Sequence, residues 1–284
     1  MIPVLLTKIK TSDGITLDGI YVKPKHKGKV ALIWLHGLTS RFYSGQTLIK
    51  EASSLCSRYG IGYFKFNTRG HDIVARGPKE LLGTAFEKFE DCVFDIRAMI
   101  NFAKKLGYRK VVLAGHSTGT NKALYYMYKM RDPRVAGLAL LGPTSDIAYD
   151  YLKFGKETIR RRVALAKKMK RTAPLSLVPQ KFGIWTAQRY VSILEEGKPE
   201  DVFPYYNSKA GWKELKSVKI PLAVIVGSRE EYLDRPLKKI VEAFRKNALR
   251  TKNFSGIIIK GADHSFLKKE KELAKVIVDW IKKI

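Results

Sequence analysis

Residues 111–119 read Val-Val-Leu-Ala-Gly-His-Ser-Thr-Gly, and no other stretch restricts the fold as strongly. A short apolar run ends in Gly115-His116-Ser117-Thr118-Gly119. This is the G-x-S-x-G pattern in which a serine sits on a sharp strand-to-helix turn. Glycine flanks such a turn because a β-carbon there would strike the incoming strand or the outgoing helix. Residues 110–114 read as a buried strand. Residues 120–130 read as a helix, with Ala123, Leu124, Met127 and Tyr128 at helical spacing. Strand, strained turn and helix together push the Ser117 hydroxyl out of the backbone, within reach of a base and a carbonyl carbon.

The rest of the chain repeats the strand–helix rhythm. Apolar runs at 29–35, 61–66, 135–141, 222–226 and 257–259 each end in a glycine- or polar-rich turn. Helical patterns fall at 46–58, 85–106, 236–247 and 269–284. This alternation predicts an α/β fold with a mostly parallel sheet covered on both faces. Segments 4–9 and 16–22, split by Ser12-Asp13-Gly14, predict an antiparallel hairpin at the sheet edge.

Residues 144–215 break the rhythm and contain no clear strand. The expected organisation is a core of residues 1–143 and 216–284 with a helical cap insertion at 144–215. One helix is expected over 153–171, with nine Lys or Arg against one Glu. Ile159, Val163, Ala166 and Met169 form its apolar stripe. Ligands bind at the carboxyl edge of an open α/β sheet, so an insertion there reads as a cover over the site.

Composition narrows the function classes. At 284 residues and 45% apolar content the chain can bury one large core. No apolar run reaches the roughly 18 residues of a membrane span. The first residues lack a basic segment and a secretory apolar stretch. A soluble cytoplasmic protein is expected, with Cys56 and Cys92 reduced. The net charge of +28 raises the question of nucleic acid. The basic residues are spread along the chain and no nucleic-acid-binding motif occurs, so no such partner is expected. The nine Asn and Gln residues fit a thermophile's avoidance of labile amides.

A serine hydroxyl needs a base, and the base needs an orienting acid. Of five histidines, only His264 follows the last predicted strand, where the order Ser–acid–His places the base. The acid should follow the 222–226 strand, where Glu230, Glu231 and Asp234 are candidates. Position favours Glu230, and Asp263, the neighbour of His264, ranks below it. Oxyanion donors are expected from the backbone N–H groups of Thr118, directly after the serine, and Leu38, after His36-Gly37. His36 reads as a brace for that loop. No phosphate-cradling or metal-ligand pattern occurs, so neither cofactor nor metal is expected.

These residues resemble the α/β-hydrolase superfamily along nearly the whole chain, through His36-Gly37, Arg69-Gly70-His71, the Gly115–Gly119 elbow and Gly261-Ala262-Asp263-His264-Ser265-Phe266. A narrower resemblance rests on the elbow, Gly142-Pro143-Thr144-Ser145-Asp146, Thr186-Ala187-Gln188-Arg189-Tyr190 and Glu230-Glu231-Tyr232. These are similar to a little-characterised, mainly fungal serine-hydrolase family that includes siderophore ester hydrolases. Members usually read Asp-Glu-Tyr after the acid strand, which puts Glu230 at the acid position and marks an Asp-to-Glu departure.

The expected activity is cleavage of carboxylic esters through a Ser117–His264–Glu230 triad and an acyl-enzyme. Acyl transfer and thioester hydrolysis use the same machinery, and a non-catalytic ligand-binding scaffold is the further alternative. The expected partner is a small-molecule ester. The density of Lys and Arg over 153–171 suggests an anionic or polyoxygenated one.

Overall fold

The computed structural model describes residues 3–26 and 28–284. The apolar runs form β1 (Leu5–Lys10), β2 (Thr16–Val22), β3 (Val30–Leu35) and β4 (Gly62–Phe66). A two-stranded ribbon, β5 (Ala75–Arg76) with β6 (Leu81–Leu82), stands apart from them. Then come β7 (Lys110–His116), β8 (Val135–Leu141), β9 (Leu222–Gly227) and β10 (Phe254–Ile259). The main sheet runs β1-β2-β4-β3-β7-β8-β9-β10. β2 pairs antiparallel with β1 and β4, and every other pairing in it is parallel.

Alternate residues of the central strands feed two separate cores. Ile33, Leu113, Leu138 and Val224 face α2 (Cys92–Lys105), α3 (Thr118–Met130) and α8 (Leu237–Asn247). Trp34, Val112, Ala139 and Ile225 face α1 (Gln46–Arg58) and α9 (Glu270–Ile281). Both faces of the sheet are thus buried, which explains why these strands read as continuous apolar runs. Truncating a fully buried leucine such as Leu113 costs about 2–5 kcal/mol.

Between β8 and β9 the chain is helical: α4 (Asp146–Phe154), α5 (Lys156–Thr172), α6 (Ala187–Leu194) and the single turn α7 (Lys213–Lys216). Ile147, Ile159, Val163, Ala166, Ala187 and Tyr190 make a third, smaller core of their own. The stripe expected on 153–171 is buried at its first three positions, and Met169 packs at the margin. Two helix boundaries differ from expectation. Gly155, at φ 83°, divides the 153–171 region, so its first residues belong to α4. The helix expected from residue 85 begins at Cys92, after a short turn at Phe89–Asp91. Residues 84–87 are drawn away from helix by outside partners. Thr84 Oγ1 donates to the Gly70 carbonyl, Ala85 N–H to that of Ile73, and Glu87 accepts from Lys122.

Candidate active site

Ser117 has φ 54° and ψ −128°, a conformation that L-residues rarely adopt. Such strain costs about 1–3 kcal/mol and persists only where its surroundings enforce it. Here the Ser117 N–H donates to the Leu141 carbonyl (2.9 Å), and the Thr120 N–H donates to the Ser117 carbonyl (2.8 Å). The glycines leave the necessary room. A β-carbon on Gly115 would lie 2.3 Å from the Gly119 carbonyl oxygen, and one on Gly119 would lie 2.3 Å from that of Leu35.

Ser117 follows β7, Glu230 follows β9 and His264 follows β10, so the parallel order of the sheet gathers all three at its carboxyl edge. Glu230 Oε2 lies 2.8 Å from His264 Nδ1. A carboxylate only accepts, so Nδ1 carries the proton and Nε2 is left as the basic nitrogen. The Glu230 side chain is fully buried, and its other oxygen accepts the Tyr232 N–H at 3.2 Å. Ser117 and His264 line one cavity of about 360 Å³. Hydroxyl and imidazole make no hydrogen bond to each other, and contacts of this kind often tighten only on substrate binding.

The remaining acid candidates have other partners. Glu231 Oε2 accepts the backbone N–H of His264 (2.9 Å), anchoring the loop that carries the imidazole. Asp234 pairs with Arg235. Asp263 accepts the Leu267 N–H. Sequence reasoning missed the anchoring by Glu231, because a carboxylate bound to backbone leaves no motif.

The loop after β3 brings Gly37 against the elbow. A β-carbon there would lie 2.8 Å from Ser117 Cβ. Leu38 lines the cavity beside it. The backbone N–H groups of Leu38 and Thr118 donate to no acceptor among the described residues, and the buried Thr118 hydroxyl is also unpartnered. His36 braces this loop from below: Nε2 accepts the Thr68 N–H (3.0 Å), which leaves Nδ1 to donate to the Gly37 carbonyl (2.9 Å). Burial, helped by nearby Lys122, holds its pKa well below the ordinary value, so the ring stays neutral.

His116 has a part that its sequence position did not reveal. Its Nε2 lies 2.8 Å from the His264 carbonyl, and the two rings pack with centroids 4.9 Å apart. Burial, and then the neighbouring imidazole, push its pKa down to about 4. It therefore acts as a neutral donor that fixes the His264 loop.

A buried polar network ties these loops to α6. Lys122 on α3 donates to Glu87 (2.5 Å) and to Thr68 Oγ1 (3.1 Å), beside His36. Arg189 on α6 is fully buried. It meets both oxygens of Glu200, approaches Glu87 at 3.5 Å and donates from Nε to the Thr84 carbonyl (3.0 Å). Thr84 Oγ1 in turn accepts the Thr39 N–H, on the loop that carries Leu38 (2.8 Å).

Among the described residues, no Lys or Arg lines the cavity. The basic side chains of α5 pair instead with Glu157, Glu195 and Glu196, stack on Phe154 and Phe182, or face solvent. None of the α5 basic side chains lines this cavity. A larger open groove of about 660 Å³ lies between α1 and α9 and contains none of the residues considered above.

A mostly parallel eight-stranded sheet, helices on both faces and a serine on a strained turn at its carboxyl edge define an α/β-hydrolase fold. Solved structures agree. An esterase of Pyrococcus furiosus matches with a TM-score of 0.65 at 14% identity, over 99% of this chain and 91% of that one. Est1E from Butyrivibrio proteoclasticus matches at 0.62 and 18%, over 98% of each chain. A soluble variant of the Saccharomyces cerevisiae monoglyceride lipase, bound to a substrate analogue, matches at 0.66 and 14%, over 97% and 94%. No curated protein matches in sequence. Within the fold class, the chain belongs to the family described as protein of unknown function DUF1749, whose sequence model matches residues 84–284. Among the described residues, no helix is long and apolar enough to cross a membrane.

Proposed function

We propose that this protein is a serine hydrolase that cleaves carboxylic esters. The observation that carries the reading is His264, paired with Glu230 at 2.8 Å and lining one cavity with Ser117. The Ser117 Oγ attacks the ester carbonyl carbon while His264 Nε2 takes its proton. The tetrahedral oxyanion accepts hydrogen bonds from the Leu38 and Thr118 amides, each worth about 3 kcal/mol in such a site. His264 then gives its proton to the departing alkoxide, which leaves as the alcohol. Water, deprotonated by the same nitrogen, attacks the acyl-enzyme and releases the acid. Glu230 keeps the imidazole in one tautomer and stabilises the imidazolium that forms at each step.

The neighbours of like fold include esterases and a monoglyceride lipase, which supports an ester as substrate. The helical insertion of residues 144–215 acts as the cap, with α4 supplying part of the cavity wall. Thr39, Ser40, Thr144 and Ser265 line the cavity and favour a polar ester. A siderophore-type ester, the substrate class of the fungal proteins that the motifs resemble, is of this kind. Cys56 and Cys92 are buried and unpaired, which fits a reducing, cytoplasmic setting.

A panel of chromogenic esters of varied length and polarity tests the reading. Turnover by the wild type that is lost in Ser117→Ala is expected, and no Ser117-dependent turnover of any ester would reject it. Adding a competing alcohol or thiol measures partition to an acceptor other than water.

A further inference from the structure

Asp146 is the first residue of α4 and lines the same cavity as Ser117 and His264. Its side chain makes no hydrogen bond or ion pair with any described residue. The buried carboxylates Glu87, Asp95, Glu200 and Glu230, by contrast, are matched to Lys122, Arg69, Arg189 and His264 in that order. A half-buried, unmatched carboxylate in a wall that holds no Lys or Arg among the described residues leaves a place for a positive charge from outside. Tyr149 and Tyr232 line the cavity as well. Their rings meet edge to face at 5.3 Å, and such aromatic surfaces attract cations.

We propose that Asp146, flanked by Tyr149 and Tyr232, forms a subsite for an ammonium group carried on the alcohol or the acyl part of the ester. This rests on the ester-hydrolase reading above and names a feature of its substrate. The charges around Asp146 are Asp150 on the same helix, Glu200 beyond α6 and Arg189 on α6, and the His264 imidazole lies across the cavity. Burial, then the repulsion of Glu200 and Asp150, outweigh the attraction of Arg189 and push the Asp146 pKa up to about 7. A bound ammonium relieves that repulsion and holds the carboxylate ionised.

Matched pairs of esters test the proposal: a choline ester against its neutral tert-butyl isostere, and the same replacement made on the acyl side. The readout is the ratio of kcat/KM within each pair, which cancels changes in folding or in His264 that affect both esters alike. In the wild type at pH 8.5, one pair should favour the cation by about tenfold or more. The ratio should fall towards one as pH drops below 7 and Asp146 takes a proton. It should be near one in Asp146→Asn at every pH, while Asp150→Asn retains the preference. Ratios near one in both wild-type pairs, or a preference that survives in Asp146→Asn, would overturn the subsite. Loss of turnover of all four esters would count against the ester-hydrolase reading instead. Choline binding followed by nuclear magnetic resonance then reads the subsite alone: it should be tighter than that of the neutral alcohol in the wild type and equal to it in Asp146→Asn. Equal binding in the wild type would also overturn the subsite.

Discussion

Glu230 and His264 lie 34 residues apart in the chain, on loops after two neighbouring strands, and their side chains meet at 2.8 Å. Gly142, at the end of β8, makes the meeting possible. A β-carbon on it would lie 3.0 Å from the imidazole and 3.2 Å from the Glu230 carboxylate. At φ 56° the position also disfavours any side chain. The backbone of one strand thus clears the space in which side chains from two others pair.

Removing the charge from Glu230 should therefore act on the chemical step. Glu230→Gln is expected to lower kcat by at least about 10²-fold with little change in KM, because the imidazolium loses its stabilising partner. Asp234→Asn should stay near wild type. Glu231→Gln should fall between them, since an amide oxygen still accepts the His264 N–H. Steady-state kinetics on one ester decide the order.

Gly37→Ala should displace the elbow serine. The added methyl would lie 2.8 Å from Ser117 Cβ and 3.2 Å from the His116 carbonyl oxygen, so either the loop or the serine must move. A loss of about 10²-fold in kcat/KM is expected, because catalysis tolerates little misplacement. Gly211→Ala, where a β-carbon meets nothing within 4 Å, is the control and should stay at wild-type activity.

The buried Lys122–Glu87 pair should behave as a unit. Lys122→Met leaves Glu87 facing Arg189 alone and should destabilise the fold by about 3–5 kcal/mol. Glu87→Gln, which strands the ammonium, should cost a similar amount. The double variant should cost less than the sum of the two, as measured by denaturant unfolding.

Asp150 should make stability depend on pH. Burial raises its pKa from the ordinary 3.8 to about 6, against the opposing pull of Lys153 and Arg162. The folded protein therefore holds this proton more tightly than the unfolded chain, and the group costs stability as pH rises from about 4 to 6. Asp150→Asn lacks that cost. It should be about 1–2 kcal/mol more stable than wild type at pH 8, with little gain near pH 4, in thermal melts at the two values.

The legible parts of this molecule are those where one residue type is forced. The strands were readable because both sheet faces are buried, and the elbow because its glycines have no substitute. Ser117, Glu230 and His264 stood out as candidates because each follows a strand whose end the apolar pattern marks. What escaped is long-range. The start of α2 is set by Gly70, Ile73 and Lys122, which hold residues 84–87 out of the helix. The part played by His116 depends on a carbonyl 148 residues away. The basic character of α5 suggested a substrate charge, yet orientation was hidden, and the cavity wall carries Asp146 instead.

The central claim is that Ser117 is a nucleophile activated by His264. Reaction with a fluorophosphonate probe, followed by peptide mapping, measures this directly. The account predicts one adduct on Ser117 in the wild type, none in Ser117→Ala and labelling slowed by at least about 10²-fold in His264→Ala. A wild-type protein that stays unlabelled, or an adduct on another residue, would contradict it.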